Sequence, residues 1–135
     1  MHAVNLPTEL DLMAAARAND AFRRVIETGE HQQVVLMTLP VGEDIGAEVH
    51  PDTDQLFIFV ASHGEAVLDG AVRPVAPNDF VFVPAGALHN IVNHGVVPMR
   101  LITIYAPPEH ADGTVHVTKA DATASSEHFD GRTTE

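Results

Sequence analysis

Between Phe22 and Tyr105 the chain repeats one device, a short apolar run followed by a turn signal. The runs are Val34–Leu39, Leu56–Ala61, Ala66–Leu68, Phe80–Val83 and Met99–Tyr105. Between them lie Pro40-Val41-Gly42, Ser62-His63-Gly64, Asp69-Gly70, Pro77-Asn78-Asp79, Pro84-Ala85-Gly86 and His94-Gly95. Such runs are too short for ordinary helices, and Gly, Pro, Asn and Asp supply the backbone conformations that tight turns need. Many short β-rich segments at near-regular spacing predict an all-β sandwich or barrel. Leu56-Phe57-Ile58-Phe59-Val60 is apolar on both faces. A strand of that kind needs cover on each side, from a barrel interior on one and a helix, a second sheet or a second subunit on the other. Phe57, Phe59, Phe80 and Phe82 alternate and are expected to pack the barrel and its outer cover.

The flanks have a different texture. In residues 1–21 a helix is expected, with Thr8 after Pro7 as N-cap, Glu9 and Asp11 in the first turn, and Leu10, Met13, Ala14 and Arg17 at helical spacing. Asn19-Asp20 ends that pattern. Residues 22–118 form the expected barrel. After Pro107-Pro108 the chain turns polar, and residues 119–135 lack the apolar repeat needed to offset the entropy of ordering, so a loose tail is expected. At 135 residues one domain is the natural division.

Charge narrows the partners. Asp plus Glu number 19 against 7 Lys plus Arg, a formal charge of −12. Such a surface repels phosphate backbones and anionic lipid headgroups, which argues against nucleic acid and membrane partners. No apolar run approaches the length of a membrane span, and the N-terminus lacks a basic-then-apolar signal, so a soluble cytoplasmic protein is expected. Without cysteine there can be no disulfide, thiolate nucleophile or iron–sulfur cluster. The nine histidines are then the soft ligands and proton carriers available.

Two segments carry chemistry. In Gly42-Glu-Asp-Ile-Gly-Ala-Glu48-Val-His50-Pro-Asp-Thr-Asp-Gln55, Glu48 and His50 are two residues apart, so an extended chain sends both side chains to one face. Gln55 opens the next strand. In Asn78-Asp-Phe-Val-Phe-Val-Pro84-Ala-Gly86-Ala-Leu-His89-Asn-Ile-Val-Asn93, a tight turn at Pro84–Gly86 fixes the direction of one histidine, His89, at the start of another strand.

These segments resemble the two motifs of the cupins. The second, G-x5-P-x-G-x2-H-x3-N, is met by Pro84, Gly86, His89 and Asn93 in register, with Asn78 in place of the opening Gly. Asn is the residue that best tolerates the left-handed turn conformation after Gly. The first motif, G-x5-H-x-H-x3-4-E-x6-G, keeps Gly42 and His50 but has Glu48 at the first His, Gln55 at the Glu and Ser62 at the closing Gly. The resemblance runs from Val34 to Tyr105. Ile104-Tyr-Ala-Pro-Pro-Glu-His-Ala-Asp-Gly-Thr-Val-His116 is similar to a group of uncharacterised bacterial cupins and widens it. It implies a double-stranded β-helix, or jelly-roll barrel, holding one divalent metal ion on Glu48, His50, Gln55 and His89. Two imidazoles and a carboxylate with a weak amide oxygen suit Fe, Mn, Ni or Zn.

Each ligand has an alternative reading. His50 and His89 would be hydrogen-bonded histidines in a barrel without metal, Glu48 a solvated loop acid if the register shifts by one, and Gln55 a pocket-wall amide. His31, His63 and His94 are expected to be solvated. His110 and His116 lie on a segment that either crosses a barrel mouth or packs outside. Tyr105, ending the last strand, could reach a pocket rim. The expected function is a metal-dependent enzyme acting on a small polar metabolite, by isomerase, sugar-acid or dioxygenase chemistry, with no catalytic residue assigned. The alternatives are a non-catalytic module for a small molecule or metal, and a purely structural barrel. A homodimer is expected, paired through Val34–Leu39 or a swapped N-terminal segment.

Overall fold

Alternation of apolar side chains along extended segments produces the two sheets of the barrel. The computed structural model describes residues 11–134. Helix α1 (Leu12–Ala18) precedes strands β1 (Arg23–Thr28), β2 (Gln33–Leu39), β3 (Asp54–Ala61), β4 (Gly64–Leu68), β5 (Ala71–Val75), β6 (Phe80–Val83), β7 (His89–Asn93), β8 (Met99–Ala106) and β9 (Val115–His116). Helix α2 (Lys119–Ala124) follows. One sheet has the order β6-β3-β8-β2-β1-β9 and the other β5-β4-β7. Isolated bridges Asp44–Val92 and Glu48–His89 add residues 44–48 to the free side of β7. The result is the all-β barrel that the short-strand rhythm predicts, with the jelly-roll form that the resemblance implies. β1 and β5 lie outside the apolar runs because Arg23, Arg24, Arg73 and Pro74 interrupt their hydrophobicity, and β7 and the two-residue β9 also fall outside them.

The interior follows from register. Phe57 pairs with Thr103 and Val81, while Gln33 and Gln55 both pair with Tyr105. These positions share the inward face with Val35, Met37, Leu39, Phe59, Val83 and Leu101, all buried in one core cluster. Each such side chain contributes on the order of 2 kcal/mol through lost water contact. The outer face of β3 is covered by α1, where Ala16 packs with Leu36, Val60 and Ile102. The required cover is therefore supplied within one chain over Ile58 and Val60.

Several expectations change. Asp11 is the N-cap of α1 rather than a first-turn acid, and its carboxylate accepts from the Ala14 N–H at 3.0 Å. The proposed cap Thr8, with Glu9 and Leu10, lies outside the described residues. Phe57 and Phe59 are buried, but Phe80 and Phe82 are 66% and 51% exposed. The inward phase of β6 belongs to Val81 and Val83, so the phenylalanines project from an edge strand. The β2 edges are occupied by β1 and β8, so Val34–Leu39 has no free edge for a partner. The tail expected from residue 119 onward to be loose instead begins with α2 and lies along the barrel. Thr118 and Asp121 form a reciprocal cap, Lys119 pairs with Asp44, and the Thr134 N–H donates to Thr28 O at 2.8 Å.

Backbone conformation explains two motif departures. Asn78 and Ser62, each standing where the motif has Gly, both have φ of 77°. The Ser62 hydroxyl donates to Asn93 Oδ1 at 2.8 Å. Asn93, fully buried, also accepts from the Gly95 N–H and donates to the carbonyls of Leu39, Pro40 and Val97. This last motif residue ties loop ends together and satisfies carbonyls that would otherwise be buried unpaired.

Candidate metal centre

The two motif segments meet through a backbone pair. The Glu48 N–H donates to His89 O at 2.9 Å and the His89 N–H to Glu48 O at 3.0 Å. Gly86, with φ of 87°, donates its N–H to His50 O at 2.9 Å. Glu48, His50 and His89 then point to one place, with one ligand atom from each within 4.8 Å of the others.

Each imidazole is oriented by its Nδ1. His50 Nδ1 lies 3.3 Å from Glu109 Oε1, and His89 Nδ1 lies 3.1 Å from Ala87 O, which accepts its proton. Both Nε2 atoms face inward, buried and without a hydrogen-bond partner. Glu48 Oε2 is 3.2 Å from His50 Nε2, close enough for strong charge attraction but off the line of a hydrogen bond. Gln55, 1% exposed, donates through Nε2 to Thr103 Oγ1 at 3.0 Å and leaves Oε1 without a partner. Buried polar atoms are rarely left this way, and unpaired ones are costly. Two such imidazole nitrogens beside a carboxylate fit the donor set of a divalent cation, and the Gln55 amide oxygen is a further unpaired acceptor, on β3. Glu109, expected from no motif, would be the outer carboxylate that orients a ligating histidine.

Electrostatics support the same picture. Burial opposes a charge on His50, but Glu109 and Glu48 outweigh it and raise its pKa to about 9. Burial would raise the Glu48 carboxyl, yet His50, Arg23 and His89 hold it below the ordinary carboxylate range. His89 is lowered, chiefly by burial, so it is a neutral imidazole with a free lone pair. Glu109 is lowered first by its hydrogen bond with His50. A cation held here would take the place of the His50 proton and keep the carboxylates compensated.

The remaining candidates separate cleanly. Tyr105 is buried inside the barrel instead of at a rim, its ring edge-on to His50 at 5.8 Å and to His110 at 5.1 Å. Residues 109–116 cross the barrel mouth, where the Gln33 amide donates to His110 O at 2.8 Å. His110 Nδ1 meets Glu127 Oε1 at 2.7 Å, and His116 Nδ1 meets Arg23 Nη1 at 3.2 Å. His31, His63 and His94 are exposed. Asp52 is exposed, and Asp54 accepts from the Ala85 N–H and so steadies the turn before His89. A cavity of about 90 Å³ opens beside Glu48, lined also by Arg23 and by Lys119 of α2. A larger cleft of about 420 Å³ lies outside the barrel between Thr38, Pro40 and residues 117–120, and none of the four candidate ligands lines it.

A double-stranded β-helix with a histidine–carboxylate cluster inside defines a cupin-type barrel. The family profile described as Cupin domain matches residues 35–105, and the chain belongs to the cupin family. It is 42% identical over 125 residues to YrkC of Bacillus subtilis (strain 168), an uncharacterized protein, covering 88% of this chain and 67% of that one. The crystal structure of BH2720 from Bacillus halodurans superposes with a TM-score of 0.87 at 39% identity, covering 90% of this chain and 96% of the other. A 79-residue stretch is 28% identical to the mannose-1-phosphate guanylyltransferase of Escherichia coli (strain K12), spanning 58% of this chain but only 16% of that enzyme. No helix among the described residues is long and apolar enough to cross a membrane.

Proposed function

We propose that Glu48, His50 and His89, with Gln55 beside them, hold one divalent ion of Fe, Mn, Ni or Zn, and that the protein is a cytoplasmic metalloenzyme acting on a small polar metabolite. The observation that carries this reading is the convergence of His50 Nε2 and His89 Nε2, both buried and unpartnered, with the Glu48 carboxylate. The ion would supply Lewis-acid polarisation of a substrate oxygen or, with a redox-active metal, activation of dioxygen, so isomerase, sugar-acid and dioxygenase chemistry all suit the donor set. The protein's own part is to hold His89 neutral, to orient His50 through Glu109 and to exclude bulk water with α2. Pairing of two copies belongs to the same reading, through the exposed Phe80 and Phe82 on the outer face of β6.

Elemental analysis of protein purified without chelator tests the metal. About one equivalent is expected, against background in a His50→Ala/His89→Ala double variant. A wild type that stays metal-free after anaerobic reconstitution with each of the four metals overturns the reading.

A second reading, a non-catalytic binding module, draws on one observation. The 90 Å³ cavity beside Glu48 is well below the roughly 300–1,000 Å³ of ordinary ligand pockets. Turnover of a bound metabolite favours the enzyme, whereas tight retention of an unchanged ligand favours the module.

A further inference from the structure

Of the seven basic residues, Arg23 is the buried one, 5% exposed, and its position is set by register. It pairs with Met37 on β2 and His116 on β9, so it follows the inward phase shared with Val25 and projects among core side chains. Three of the other six have acidic partners, Arg100 with Asp20, Lys119 with Asp44 and Arg132 with Asp130, while Arg17, Arg24 and Arg73 are exposed to water. Arg23 is buried yet makes no direct ion pair among the described residues; the carboxylate that feels its charge is Glu48, across the same cavity. Its Nη1 meets the neutral His116 ring, its Cζ stands 5.3 Å from the Phe22 ring centroid, and its Nε is buried without a partner. A buried guanidinium in this condition is costly, and an anion is what relieves it.

The place for that anion is the 90 Å³ cavity, which Arg23, Glu48 and Lys119 share with Phe22, Ile45 and the inner face of α2. At about 30 Å³ per water it holds roughly three waters, or a carboxylate and a carbon or two. Charge points the same way. With a divalent ion in place, Glu48 and Glu109 would balance it and the Arg23 charge would be left over, so an anion should bind more tightly to the metal-loaded form. A molecule of net charge −12 repels anions generally, so it binds one only where positive charge is concentrated. The guanidinium fork can take a carboxylate through two parallel N–H···O bonds, and a carboxylate is the smaller of the common anionic groups for a cavity of this size.

We propose that this cavity is the subsite for the carboxylate of a small oxygenated acid, with Arg23 as the binding residue, Lys119 at the rim and the acid's α-oxygen directed to the centre formed by Glu48, His50 and His89. The assignment of the α-oxygen rests on the metal reading, whereas that of the carboxylate stands on Arg23 and the cavity.

The test is an amide chemical-shift titration of the full chain, zinc-loaded and metal-free, with glycolate, its neutral counterpart glycolamide, and inorganic phosphate. Glycolate is expected to shift amides of β1 and α2 saturably in both forms and more tightly with zinc. Glycolamide should bind about tenfold or more weaker, and Arg23→Met should weaken glycolate by about tenfold while zinc uptake stays at one equivalent. Arg23→Lys, which keeps the charge and loses the fork, should fall between. The proposal is overturned if glycolate does not saturate, if glycolamide binds equally, if phosphate binds better, or if Arg23→Met binds like wild type. Should Arg23→Met fail to fold, the wild-type comparison and Arg23→Lys decide alone. Failure of zinc uptake sinks the metal reading, and glycolate binding to the metal-free protein then still judges the subsite.

Discussion

Glu109 shows how one side chain outside every motif can govern the centre. Its carboxylate takes the Nδ1 side of His50 at 3.3 Å, which leaves Nε2 as the inward atom. Glu109→Gln keeps the shape and removes the charge that steadies the ring and raises its basicity. Zinc affinity, measured by competition with a chromophoric chelator, should fall by about 10–100-fold. A change within about twofold would mean that Glu109 is only a neighbour. Nothing local in the sequence marks Glu109, because it reaches His50 only when the chain after Pro107-Pro108 crosses the barrel mouth. Arg23 had a signal of a kind, a basic residue in phase with inward Val25. In the bare sequence, though, that phase is masked by Arg24 and by the shortness of the apolar stretch. Glu48, His50 and His89 were readable because strand alternation and a tight turn are local rules.

At the scale of elements, the central strands and their turns were readable from apolar runs, and the C-terminal segment was not. Composition judged residues from 119 onward by what they cannot bury. Their placement rests on polar contacts instead: the cap at Thr118, the Lys119–Asp44 pair, and Glu127 reaching both His110 and the Ala111 N–H at 2.7 Å each. Those contacts predict a pH dependence. Burial would raise the Glu127 carboxyl, but His110 and the Ala111 N–H overcome it and hold it at about 2, against an ordinary 4.5. A depressed carboxyl stabilises the folded form above its unfolded value, and that stability drains away as pH falls from 4.5 towards 2. Its size is on the order of 2 kcal/mol after partial solvent screening. Glu127→Gln should therefore lower the urea midpoint at pH 7 and flatten its decline between pH 5 and about 3. Equal slopes in the two proteins over that interval would show that Glu127 does not anchor the segment.

At the scale of the whole molecule, α1 covers Ile58 and Val60 but the apolar outer surface continues past it. Leu56 is half-buried between Phe82 on β6 and Ile104 on β8, and Phe80 and Phe82 stand largely in solvent. Exposed phenylalanines beside half-buried aliphatic residues on an edge strand form the kind of surface that a second copy covers, and a two-fold axis lets one patch meet itself. Burying two phenylalanines per subunit removes a few hundred Å² of apolar area, roughly 5 kcal/mol or more before the costs of association. Wild type at tens of micromolar is expected to sediment near twice the 14.5 kDa chain mass. Phe80→Glu/Phe82→Glu should sediment as a single chain, because it places like charges opposite each other across the axis. Zinc stoichiometry should be unchanged in that variant, since both side chains point away from the barrel interior where His50 and His89 lie. A wild type that sediments as one chain removes pairing from the account, and a variant that remains a dimer moves the interface to another face.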